Sequence, residues 1–275
     1  MHASRLATRR AAFRKLHESG CFVIPNPWDI GSARALERQG FKALATTSSG
    51  FAWSRGRPDN AMSLDEVLAH CREIVEATDL PVNADFEDGH ARDLDGLKKN
   101  VRRCIETGVA GLSIEDAAGD AAQPLYEFNE AVARIRAARE AIDAFGEDVM
   151  LIARAECFLT GHPDPLNESL KRLKAYADAG ADCLYAPGAK TPEQISAIVQ
   201  AVAPKPVNVL VGWPAEFILT DLAKLGVRRV SVGSALAGAA WGGFMRAARS
   251  LADGRFDGFA SNAAYAEMNR LFAEH

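Results

Sequence analysis

Short runs of apolar and β-branched residues alternate along the chain with longer stretches in which apolar positions recur every three or four residues. The short runs predict strands over residues 21–25, 43–48, 82–87, 111–115, 150–156, 183–186, 207–211 and 229–233. The longer stretches predict helices over 30–39, 64–77, 94–107, 128–145, 165–179, 192–201 and 214–225. Glycine at 40, 108, 180 and 226 stands between a helix and the next strand, as expected of a left-handed helix stop. Strict alternation of this kind implies a parallel sheet covered by helices. Eight units in 275 residues suit a (β/α)8 TIM barrel, which takes about 250. The competitor is a doubly wound sheet, but a Gly-rich dinucleotide fingerprint after the first strand is missing. Residues 1–275 are therefore read as one barrel domain, with an N-terminal helix over 1–20 and a C-terminal helical extension over 255–275.

Composition narrows the classes of function. The chain is 48% hydrophobic and 25% charged with net charge -4, which leaves no basic footprint for nucleic acid or a membrane surface. Its apolar runs are too short to span a bilayer, so a soluble, cytoplasmic protein is expected. Five cysteines without paired spacing read as buried small hydrophobes rather than a disulfide framework or zinc knuckle. Arg5, Arg9, Arg10, Arg14 and Lys15 give the first residues the look of a transit peptide. Leu6, Phe13 and Leu16 at near-helical spacing, with Gly20 behind them, read instead as an amphipathic helix and its stop.

A barrel carries its active site at the C-terminal ends of the strands, so polar residues at those positions are informative. They are Asn26 and Asp29, then 46–50, then Asp85, Glu87 and Asp88, then Glu115 and Asp116, then Arg154 and Glu156, and Asn208. Strand alternation predicts that Asp85 and Glu87 share a face while Asp88 begins the turn at Gly89. Two carboxylates so placed repel unless a cation or a proton lies between them, and hard oxygen donors suit Mg2+ or Mn2+. Taken alone, the segment also reads as a solvated strand end with an Asp-Gly turn. Convergence with Glu115 and Arg154 on one mouth favours the cation.

These motifs resemble the isocitrate lyase and phosphoenolpyruvate mutase superfamily. The matching elements are Thr46-Thr-Ser-Ser-Gly50, Gly56-Arg-Pro-Asp59, Asp85-Phe-Glu-Asp-Gly89 where the family commonly has Asp-x-Asp-x-Gly, Gly111-Leu-Ser-Ile-Glu-Asp116 and Ile152-Ala-Arg-Ala-Glu156. The resemblance implies a metal site of Asp85, Glu87 and Glu115 holding Mg2+, with Mn2+ as the alternative ion, in part through water. It implies substrate binding by Ser48, Ser49, Gly50, Phe51, Arg154 and Asn208, with backbone donors at 49–51 and Arg154 as a carboxylate clamp. Arg154 equally suits a salt bridge to Glu156 or Glu115. Asp59, Arg154 and Glu115 form the implied catalytic set; Asp59 reads equally as a turn residue after Pro58. His90 and His162, in loops, stay outside that set. The implied activity is a lyase acting on a small 2-oxo or 2-hydroxy carboxylic acid through a metal-stabilised enolate, by carbon–carbon cleavage or decarboxylation, with oxaloacetate as the simplest substrate. A homo-oligomer, a dimer of dimers with its last helix swapped between subunits, is also implied, with Tyr265, Met268, Leu271 and Phe272 on one face.

The chain departs from the family in one place that matters. Residues 117–124 contain neither the cysteine of the lyase loop nor the lysine of the mutase loop, so isocitrate lyase activity is not expected. Glu87 also stands where Asp is commoner. Alternatives are a phosphonopyruvate-type mutase or hydrolase, a Schiff-base aldolase using Lys190, and a non-catalytic 2-oxo-acid binding protein.

Overall fold

A computed structural model of the chain describes residues 2–273. Eight parallel strands form one sheet in the order β1-β8-β7-β6-β5-β4-β3-β2. They are β1 (Phe22–Ile24), β2 (Leu44–Ala45), β3 (Val82–Asp85), β4 (Gly111–Glu115), β5 (Met150–Arg154), β6 (Cys183–Tyr185), β7 (Val207–Leu210) and β8 (Arg229–Ser231). The seam between β1 and β2 is bridged where the Ala45 N–H donates to Pro25 O at 3.1 Å and Asn26 Nδ2 to Thr46 O at 2.9 Å. Asn26 Oδ1 in turn accepts from the N–H groups of Val232 and Gly233, at 3.0 and 2.9 Å. Asn26 thus serves barrel closure, and Asp29 caps the first helix after β1 by accepting from Ser32 N–H at 2.6 Å. The TIM barrel read from the alternation is the fold observed.

The helices in chain order are α1 (His2–Leu16), α2 (Ile30–Arg38), α3 (Ser48–Ser54), α4 (Leu64–Ala77), α5 (Leu94–Ile105), α6 (Phe128–Phe145), α7 (Pro165–Asp178), α8 (Pro192–Val202), α9 (Leu219–Lys224), α10 (Ala235–Ala252) and α11 (Tyr265–Phe272). Local chemistry sets their starts: Ser63 and Glu66 form a capping box on α4, and Thr191 with Gln194 does the same on α8 behind Pro192. Gly40, Gly108, Gly180 and Gly226 all take positive φ, as the repeated helix stops predicted. Two expectations are corrected. The run 46–50, read as strand end and loop, holds the first turn of α3, because Thr47 Oγ1 accepts from Gly50 N–H at 3.3 Å and starts a helix. The helix predicted over 214–225 is only α9, which begins where Asp221 Oδ2 accepts the Ile218 N–H.

Two apolar cores result. The larger lies between strands and helices; the smaller fills the barrel interior with Phe13, Ile24, Ala43, Ala45, Met150, Ile152, Cys183 and Tyr185. Phe13 comes from α1, which plugs the end of the barrel opposite the strand C-termini. The cationic side chains of α1 explain their own abundance: Arg9 donates to Val75 O at 2.9 Å and Arg10 to Val109 O and Ile105 O at 3.1 and 3.3 Å. Arg14 pairs with Asp148 and Asp182 at 2.6 and 3.1 Å. Carbonyls at the ends of α4 and α5 favour cations there. All five cysteines are free, four of them buried. Among the described residues no helix is long and apolar enough to cross a membrane. The terminal expectations for residues 1, 274 and 275 lie outside the described residues.

Candidate active site

Arg154 closes β5 with its guanidinium among three carboxylates, Asp85 and Glu115 from the ends of β3 and β4 and Glu156 just beyond its own strand. Nη1 donates to Asp85 Oδ1 at 2.7 Å, Nη2 pairs with Glu115 Oε2 at 3.1 Å and Nε donates to Glu156 Oε1 at 2.8 Å. The strand register produces this meeting, since β3 pairs with β4 and Glu115 sits directly opposite Arg154 across β4 and β5. The second Asp85 oxygen accepts from Ser48 N–H at 3.0 Å, and the Asp85 N–H donates to Thr46 Oγ1 at 2.8 Å. The start of α3 is thereby tied to the acid cluster. Beside it opens a cavity of about 210 Å³ whose lining includes Ser48, Ser49, Asp59, Asp85, Arg154 and Tyr185.

Glu87 reaches the cluster differently from the way alternation predicts. β3 ends at Asp85, Phe86 is buried, and Glu87 adopts φ 49° in the left-handed region, so it lies on a turn rather than on the strand face. It nonetheless lines a water-sized space with Asp85 and a larger one with Glu115. Non-glycine residues with φ above zero are held there only by surrounding contacts. Here the contacts are many. Arg134, fully buried, donates to Asp88 O at 2.5 Å and Ala91 O at 2.8 Å while stacking on Tyr126, whose hydroxyl donates to Asp88 Oδ2 at 2.9 Å. Gly89 is required at the turn: its φ is 81°, and a Cβ would collide with Leu97.

Asp116 was expected at the mouth and has another duty, whereas Asp88 stands in the turn as expected. Asp116 is buried between sheet and helices, where it accepts from Glu156 N–H at 2.8 Å, Arg172 at 3.0 Å and the Tyr176 hydroxyl at 2.5 Å. It positions the backbone beside Arg154 and does not line the cavity. Asp88 accepts from His90 N–H at 2.9 Å and belongs to the turn. Gly50 and Phe51 are buried behind Ser48 and Ser49; a Cβ on Gly50 would stand 2.7 Å from Thr47 Cγ2 and 3.1 Å from Trp28 Cβ. Phe51 stacks on His70 with ring centroids 3.9 Å apart. Asn208 lies inside the barrel, donating to Ser231 Oγ at 2.9 Å and accepting from Arg229 Nε at 2.8 Å. Lys190 is exposed, its ammonium 4.9 Å from the Trp213 ring centroid. His162 accepts from Asp164 N–H at 3.2 Å, and His90 Nδ1 stands 3.9 Å from Glu87 Oε2.

Crowding of acids around one guanidinium shows in their ionisation. Burial, with Asp85, Asp59 and Asp88 nearby, pushes the Glu87 carboxyl from its ordinary 4.5 up to about 8. Burial raises Glu115 well above the usual range and raises Glu156 as well, while Arg154 opposes both. Desolvation also raises Asp59; a hydrogen bond with Ser48 opposes the rise and Asp85 adds to it. Arg154 stays protonated, because the surrounding carboxylates outweigh its burial. The donor set is all carboxyl oxygen, and its acids outnumber the one cation, so some of them hold protons until a further cation is supplied. That chemistry suits a hard divalent ion. Among the described residues no three His, Cys, Asp or Glu side chains converge closely enough to hold an ion by themselves, so an ion here would take part of its shell from water or substrate.

Fold and site together define a (β/α)8-barrel enzyme with an acid-and-arginine mouth. The model of the phosphoenolpyruvate phosphomutase family matches residues 13–252, and the chain belongs to that family. A Burkholderia cenocepacia J2315 protein, provisionally assigned as a lyase or mutase, superposes with a TM-score of 0.94 over 98% of each chain at 46% identity. The oxaloacetate decarboxylase of Rhodopseudomonas palustris (strain BisB5) is 32% identical over 90% of this chain and 86% of its own. Oxaloacetate acetylhydrolase, solved with its product oxalate, superposes with a TM-score of 0.85 over 97% of this chain and 94% of its own at 26% identity.

The inward residues Asn83, Ser113, Tyr185, Arg229 and Ser231 line the same cavity and escaped the reading from sequence. Period-two parity would have found two of them, since Asn83 shares a face with Asp85 and Ser113 with Glu115.

Proposed function

We propose that the chain is a divalent-cation-dependent lyase that breaks a carbon–carbon bond of a small 2-oxo or 2-hydroxy carboxylic acid, with oxaloacetate as the leading substrate. The observation that carries this reading is the meeting of Asp85, Glu115 and Glu156 on Arg154 beside a cavity, with Glu87 and Asp59 adding further acid. The relatives' names support the choice of oxaloacetate. Asp85, Glu87 and Glu115 would hold Mg2+ or Mn2+, in part through water. When bound, the ion would polarise the 2-oxo group and offset negative charge on its oxygen.

The chain's own groups supply the rest. The Ser49 N–H, in the first turn of α3, donates to no acceptor among the described residues and is suited to the oxygen on which charge develops. Arg154 donates from Nη1 to Asp85 and from Nε to Glu156 and forms an ion pair through Nη2 with Glu115, which leaves N–H bonds of its guanidinium for a substrate carboxylate. In decarboxylation the bond to the departing carboxylate breaks, its electron pair enters the enolate, CO2 leaves, and a proton on carbon completes pyruvate. Asp59, its carboxyl raised by desolvation, is suited to deliver that proton.

Turnover of oxaloacetate, phosphonopyruvate and 2-methylisocitrate, each with Mg2+ and with chelator, tests the proposal. Cation-dependent loss of oxaloacetate above the protein-free rate is expected. Turnover of phosphonopyruvate alone would place the chain with the mutases, and tight cation-dependent oxalate binding without any turnover would make it a binding protein. Borohydride trapping of pyruvate on Lys190 would overturn the metal reading.

A further inference from the structure

Arg229 opens β8 with its side chain inside the barrel, and it is 3% exposed. Among the described residues it forms no ion pair; Nε donates to Asn208 Oδ1 at 2.8 Å and Nη1 to Asn83 Oδ1 at 3.5 Å. Its other charged or titratable neighbours give no compensation: Tyr185 and Cys183 are held neutral by burial, Arg154 carries like charge, and His17 beneath it is kept neutral by burial and by Arg229 itself. An unpaired buried guanidinium is costly, and such groups are ordinarily paired with an anion. Arg229 lines the same cavity of about 210 Å³ as Arg154 and Ser49. The cavity is smaller than the ~300–1,000 Å³ of drug-sized ligand sites, which suits a small acid.

The two arginines of this cavity differ in what they can still bind. Arg154 already carries three carboxylates, whereas Arg229 has only neutral amides. A dianion approaching the acid-rich strand ends is repelled there unless a cation intervenes, and its second charge needs a partner of its own. We infer that Arg229 is that partner: a substrate-anchoring residue on the cavity floor that binds the second carboxylate of a short dicarboxylic acid, with Asn208 and Asn83 holding its guanidinium in place. The inference rests on reading the cavity as a small-acid site and adds the residue that would hold the second carboxylate of a diacid such as oxaloacetate.

Titration calorimetry on the full chain with Mg2+ present would compare malonate with propionate and succinate with butyrate, for the wild type, Arg229→Gln and Arg229→Lys. The wild type should bind the better-fitting diacid at least roughly 30-fold more tightly than its matched monoacid, the scale of a desolvated charge pair. Arg229→Gln should bring that ratio to within about 3-fold, and Arg229→Lys should keep part of it. An unchanged ratio in Arg229→Gln, or no diacid preference in the wild type, would overturn the inference. Should Arg229→Gln not fold, a malonate complex of the wild type decides, with one carboxylate at the guanidinium expected and both elsewhere contradicting it. Malonate and succinate have no 2-oxo group and are not turned over, so failure of the lyase proposal would leave this result readable.

Discussion

With three carboxylates on one guanidinium, loss of a single acid changes both the charge and the geometry of the rest. Asp85→Ala removes an Arg154 partner, the acceptor of Ser48 N–H and the proposed metal ligand at once. Calorimetry should show Mg2+ affinity falling by about 100-fold or more, beyond the 10–100-fold typical of outer-shell groups; unchanged affinity would remove the cation site. Glu87 gives a pH signature. Its carboxyl titrates at about 8 in the folded chain against an ordinary 4.5, so the folded state keeps a proton that the unfolded state has lost. Ligand-free stability from this group is therefore greatest below about 4.5 and declines as pH rises towards 8. Urea unfolding across that range should show the slope, and Glu87→Gln should flatten it; an identical slope in the variant would exclude Glu87 as its source. Asp85, Glu115 and Arg154 were legible because each ends a strand. Glu87 was legible as an acid near the site, but its left-handed backbone was not, since that conformation depends on Arg134, Tyr126 and Asn100 from elements remote in sequence.

Most elements were readable because caps and glycine stops are local signals, whereas α3 was hidden by its own composition. Thr, Ser and Gly at 46–50 are turn formers, and only Thr47 capping Gly50 against the packed barrel makes them helical. The arginines of α1 show the reverse case. Their charge suggested a targeting segment, but carbonyls at helix ends and acids at the barrel base account for Arg9, Arg10 and Arg14. Phe13 measures the worth of that plug: it is fully buried, and a Cβ on Gly111 would come within 2.8 Å of its ring. Phe13→Ala should cost about 3–5 kcal/mol by urea denaturation. A loss below about 1 kcal/mol would mean that α1 is not an integral part of the barrel core.

At the scale of the whole molecule, the C-terminal helices leave apolar side chains in solvent that the barrel does not need. Trp241, Phe244 and Met245 on α10 and Tyr265, Met268 and Phe272 on α11 are exposed. Large exposed apolar patches mark association surfaces. Light scattering should give a multimer, with four subunits expected from the resemblance read in the sequence; a monomer at working concentration would contradict this. The barrel was legible from alternation alone, but the path of its last helices was not, because amphipathic spacing does not say which surface an apolar face will meet. The central claim, a cation and small-acid site at the mouth, is tested most directly by a crystal structure grown with Mg2+ and oxalate. The account predicts an ion with an Asp85 oxygen in its shell at about 2.0–2.1 Å and oxalate chelating it beside Ser49. Oxalate bound without an ion, or an ion bound away from Asp85, would contradict it.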